Sequence, residues 1–128
     1  MPTTQAHIHK QSRIQITLSC LQQSRNCPQH ADWIVTLAFY KALHAVDSYL
    51  ATLGIHPKVH TNKYKTGRNQ FVQRHLSSIH RKYSTLYDAS KRARYEAYTF
   101  QNYPKDVNKL INHSSNIVQH IKKLLQSP

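Results

Sequence analysis

The chain has 128 residues, with 18 Lys and Arg against 5 Asp and Glu and a formal net charge of +13. That length fits one domain over residues 1–128 and can bury a core without help from disulfides or a metal. The charge favours an anionic partner, whether RNA, DNA, a nucleotide, an acidic protein or a lipid surface; its bland counterpart is a solvated basic face with no target. Two cysteines, Cys20 and Cys27, are too few for a disulfide framework and fit a reducing compartment. The opening MPTTQAHIHKQSR lacks the apolar core of a secretory signal. No run reaches the roughly 18 apolar residues that span a bilayer, so a cytoplasmic protein without membrane contact is expected. Only Gly54 and Gly67 are present, which argues against an all-β chain.

The apolar periodicity supports helices almost throughout. A first helix is expected over roughly Thr4–Ser24 on the short stripe Ile14, Leu18 and Leu21. Asn26-Cys27-Pro28 ends it, and Pro28 suits the first turn of the next helix. That second helix, to about Leu53, carries Phe39, Leu43, Val46, Leu50 and Leu53 on one face and Trp33, Leu37 and Tyr40 on another. A helix apolar on two faces belongs in the middle of a bundle. Gly54 is placed to end it in the left-handed conformation, and a loop follows to Gly67. A third helix is expected to run unbroken from Gly67 to Tyr95. Val72, Leu76, Ile79, Tyr83, Leu86, Ser90 and Ala93 alternate by 4 and 3 and make a seam for antiparallel packing. Arg74, His75, Arg81, Lys82, Lys91, Arg92 and Arg94 lie between them. After a connector over Thr99–Tyr103, Pro104 opens a fourth helix, with Asp106 complementing its dipole. The expected fold class is all-α, an antiparallel bundle of four main helices.

The second helix also carries Tyr40, His44 and Asp47 at i, i+4 and i+7, which share one face. Metal-independent RNA cleavage needs a base, an acid and a cation for the phosphorane. His serves the first two near neutral pH, and Arg or Lys the third. In that reading Asp47 orients His44, Tyr40 donates a hydrogen bond, and His60 (or His56) folds back from the loop. Arg94 and Tyr95 approach from the end of the third helix. The structural alternative is a satisfied internal hydrogen-bond network or part of a dimer interface. Arg74, Arg81, Lys82, Lys91 and Arg92, with Tyr64, Tyr83, Tyr87 and Tyr95, could hold RNA by phosphate contacts and stacking. Neither His75/His80 nor His113/His120 has the i, i+4 spacing of a helical zinc site, and no Gly-rich phosphate loop is present. No metal or cofactor is expected.

The helix FYKALHAVDSYLATLG, the loop HPKVH, the segment YSTLYDASKRARYE with its Arg94-Tyr95 ending, and the closing amphipathic helix together resemble the HEPN superfamily over roughly Ala31–Leu124. The resemblance implies a four- to five-helix up-and-down bundle that dimerises. It implies an RNA-directed protein, either a metal-independent endoribonuclease of a toxin–antitoxin or defence system or a catalytically silent module that binds a nucleotide or a partner protein. Implied partners are RNA or a nucleotide, a second copy of the chain, and a minimal nucleotidyltransferase or an antitoxin. The superfamily's active site is an Arg and a His with four to six residues between them. After Arg94 this chain reads YEAYTFQ, without that His, while Arg68 and His75 in RNQFVQRH have the spacing at the start of the third helix instead.

Overall fold

A computed structural model describes residues 2–23, 30–96 and 100–126. Five helices and no strand occur among them: α1 (Thr4–Gln23), α2 (Ala31–Thr52), α3 (Arg68–His75), α4 (His80–Tyr95) and α5 (Pro104–Gln126). None is long and apolar enough to cross a membrane. The expected junction at Asn26-Cys27-Pro28 and the start of the 99–103 connector lie outside the described residues.

α2 is the central element and packs on α1, α4 and α5. Its small side chains explain how one helix touches three. Ala38, Ala42 and Ala45 are buried beside Val35, Phe39, Val46 and Leu50, so neighbouring backbones come close without voids. The Ser114 hydroxyl donates to the Ala38 carbonyl at 2.7 Å across the α2–α5 contact. α1 runs antiparallel to α2, with the Thr4 hydroxyl on the Ser48 carbonyl at 2.9 Å. α4 is also antiparallel to α2, because Arg94 at its end meets Tyr40 while its start lies near the end of α2.

α2 stops at a Schellman turn. Gly54, at φ 73°, donates to Ala51 and Ile55 donates to Leu50; the left-handed position suits glycine best.

The expected unbroken third helix is two helices. Leu76 takes φ −135°, ψ 45°, and a 3-10 turn over Ser77–Ile79 follows. Ser77 and Ser78 are poor helix formers whose hydroxyls compete for local partners, and Ser78 bonds His120 of α5 at 3.2 Å. The core pattern survives the break: Val72, Leu76, Ile79, Tyr83, Leu86 and Ser90 are all buried.

Candidate functional site

The polar seam of α2 exists, but its members have different partners from those its spacing suggested. Asp47 acts on His44 only through its charge and takes its hydrogen bonds from Arg68. Its carboxylate accepts two hydrogen bonds from Arg68, Nε to Oδ1 at 2.7 Å and Nη2 to Oδ2 at 3.0 Å, and Arg68 also donates to the Pro57 carbonyl at 3.2 Å. Side-chain exposure is only 14% for Arg68 and 8% for Asp47, so this is a buried, bidentate pair. Burial opposes the guanidinium charge, but Asp47 outweighs it and Arg68 is held more firmly protonated than usual. Arg68 therefore clips the loop and the start of α3 onto α2.

His44 turns toward α1. Its Nδ1 lies 3.1 Å from Nδ1 of His7, with ring centroids 5.4 Å apart. His7 is buried, whereas its neighbour His9 is exposed. Burial, then the mutual repulsion of two like groups, lowers the basicity of His44; burial lowers that of His7.

His60 lies on the other side of the clip, stacked on Tyr87 with centroids 3.3 Å apart and on Tyr83 at 5.9 Å. Burial, with Arg68, Lys91 and His80 adding repulsion, pulls it down to about 4. It is a neutral ring at pH 7, and its Nδ1 is buried without a hydrogen-bond partner. Beside it, the Asn69 carbonyl oxygen is shared by His80 at 3.0 Å and Ser84 at 3.2 Å. Tyr83 is deeply buried, which raises its hydroxyl above the ordinary tyrosine range. Arg94 donates to the Tyr40 hydroxyl at 3.2 Å and lies over the Tyr40 and Tyr95 rings.

Thus His44, Asp47, Arg68 and His60 are electrostatic neighbours, but each is engaged. Arg68 and His75 stand at opposite ends of α3, about 10 Å apart along its axis. Arg68 points to Asp47, while His75 is exposed and stacks on Phe71 at 6.3 Å. The five cations expected to hold RNA have separate neighbours. Arg74 bonds the Lys65 carbonyl at 2.9 Å and Arg81 points to solvent. Lys82 lies toward His113 of α5, Lys91 covers the Tyr87 ring, and Arg92 covers Phe100 and neighbours Glu96.

A different pattern organises the charge. From Ser48 to Tyr87 the chain has no Asp or Glu, yet it contains Lys58, Lys63, Lys65, Arg68, Arg74, Arg81 and Lys82. These residues form the loop, α3, the 3-10 turn and the first half of α4, all at the end where α2 stops. The remaining carboxylates fall elsewhere. Asp32 in the first turn of α2 accepts from Phe100 N at 2.9 Å, Glu96 follows α4, and Asp88 and Asp106 line one groove between α4 and α5.

The loop at the basic end is built to hold its tip. Asn62 closes it by accepting from Thr66 N at 2.9 Å and donating to the Thr66 hydroxyl at 2.7 Å. Arg68 N and Asn69 N donate to the Val59 and His60 carbonyls, both at 2.8 Å. Gly67 makes that approach possible, because a Cβ there would sit 2.5 Å from the His60 carbonyl oxygen. At the tip, Lys65 adopts φ 59°, a left-handed conformation costing about 1 kcal/mol for a residue with a side chain. Tyr64 is 71% exposed, with the Lys63 ammonium 4.9 Å from its ring. A shallow cavity of about 500 Å³ lies between the loop and α3, lined by Ile55, Pro57, Val59 and Phe71 with His56 and Lys58.

Two signals for this arrangement were present in the sequence. The run without carboxylates is visible by eye, and His7 stands one heptad before Ile14, on the α1 stripe. Among the described residues no three of His, Cys, Asp or Glu converge to hold a metal ion. Cys20 is exposed, and Cys27 lies outside the described residues. Comparison with known proteins adds no relative: no family model matches the chain, and no curated protein or solved structure does.

Proposed function

We propose that this chain is an RNA-directed protein of HEPN-like type, an up-and-down bundle of four main helices. In this reading it holds single-stranded RNA at its basic end and does not cut it. The observation that carries the reading is the exposed Tyr64 with Lys63 on a braced loop, inside a run of forty residues without a carboxylate. Cations tracking a backbone beside an aromatic platform are how sequence-tolerant single-strand binding works, and each stacked base contributes about 1–3 kcal/mol. The absence of cutting is supported by the engagement of the candidate groups. Asp47 neutralises Arg68, His44 is bonded to His7, and His60 is packed flat on Tyr87.

The test is incubation of purified protein with a fluorescent single-stranded RNA pool in EDTA, reading anisotropy and then strand length on a gel. Binding with intact strands is the expected result. Absence of binding at low salt would refute the reading. Cleavage lost in a folded His60→Ala or His44→Ala variant would overturn the silent reading in favour of a metal-independent ribonuclease.

A further inference from the structure

The seam contains a device that RNA binding does not use. We propose that α1 is a pH-operated strap, latched on α2 by the His7–His44 pair and released by acid.

Three observations converge on α1. The core cluster is built from α2 to α5 and the connector before α5; among the described residues it contains no member of α1. The buried apolar anchor of α1 is Leu18. The polar attachments are the Thr4 bond to the Ser48 carbonyl and the His7–His44 contact. α1 is therefore held by its packing along α2, by Leu18 and by these polar contacts, and not by side chains of the α2–α5 core cluster.

The latch is proton-sensitive by construction. Two Nδ1 atoms 3.1 Å apart need one N–H donor and one bare acceptor. The neutral pair satisfies this with opposite tautomers, and a singly protonated pair still can. A second proton leaves two N–H groups facing each other, and the bond becomes a repulsion. The surroundings do not rescue the charge. Asp47 favours protonation of both rings, but its oxygens are held by Arg68, whose charge opposes it. His56 from the loop opposes protonation of His7, and Lys10 on α1 opposes that of His44.

The sign follows from linkage. Both rings are less basic in the latched state than the ordinary 6.5 they regain on release. The latch is therefore at full strength above about pH 6.5 and weakens as pH falls below it. At pH 5.5 each ring that the latched pair keeps neutral favours release about tenfold.

The experiment is amide hydrogen exchange on the full chain in EDTA from pH 7.5 to 5.5, corrected for intrinsic rates and followed separately in α1 and α5. Protection in α1 should fall at least tenfold while α5 keeps its protection. His44→Phe, which removes one of the two titrating rings, should shrink that pH dependence, and a His7→Phe/His44→Phe double variant should abolish it. Imidazole nitrogen spectra of the wild type at pH 7.5 should show opposite tautomers at His7 and His44, a readout independent of whether the variant folds. Equal loss in α1 and α5, an unchanged α1, full pH dependence retained in the double variant, or two identical tautomers would each overturn the strap. So would α1 protection that requires added zinc, since the two nitrogens would then be holding a metal.

Discussion

The two ends of this molecule carry charge differently. Where α2 stops, the loop, α3 and the start of α4 offer Lys58, Lys63, Lys65, Arg74 and Arg81 without a carboxylate other than Asp47, which is spent on Arg68. Where α2 starts, Lys105, Lys109 and Arg92 lie among Asp32, Asp88, Glu96 and Asp106. The overall excess of +13 therefore understates one end and overstates the other. Position matters more than total here, because screening limits each charge to neighbours within about 10 Å at 0.1 M salt.

The largest expected effect comes from breaking the joint that holds the basic end in place. Asp47→Asn leaves Arg68 buried without its counter-charge and should cost about 3 kcal/mol, read as a lower midpoint in urea unfolding. Arg68→Met, which removes the stranded charge from the same background, should recover part of the loss. If Asp47→Asn unfolds like the wild type, the clip does not hold the loop.

A smaller effect concerns acid. His60 sits at about 4 in the fold against an ordinary 6.5, so its contribution is complete above about pH 6.5 and is lost as pH falls from there toward 4. His60→Phe should keep the stack on Tyr87 and lose less stability than the wild type between pH 7 and pH 4.5. An identical pH profile would show that the His60 ring titrates as if exposed. At the opposite end, Asp32→Ala removes the acceptor of the Phe100 amide and should cost about 1 kcal/mol, with RNA binding unchanged.

Much of this structure was legible in the sequence. The positions of α2, α4 and α5, the stop at Gly54 and the shared face of Tyr40, His44 and Asp47 all follow from local periodicity. The break at Leu76–Ile79 was hidden because the alternation by 4 and 3 continues through a 3-10 turn, so the core pattern looks the same with or without it. The partner of Asp47 was hidden for another reason. Arg68 is 21 residues away and arrives only because Gly67 lets the loop return against α3. His44 at i−3 was the nearer choice in sequence but turns to α1. His7 is hard to find in the sequence because α1 is mostly polar and its apolar stripe begins only at Ile14.

The most direct measurement is RNA binding against salt for two matched double variants, Lys63→Gln/Lys65→Gln at the basic end and Lys105→Gln/Lys109→Gln at the other. Each phosphate contact on a single strand contributes about 0.7 to the salt slope. The loop variant should lose about 1.4 from that slope and bind about 25-fold more weakly at 0.1 M salt, while the α5 variant stays close to the wild type. Equal losses in the two variants, or a larger loss at α5, would contradict the assignment of binding to the basic end.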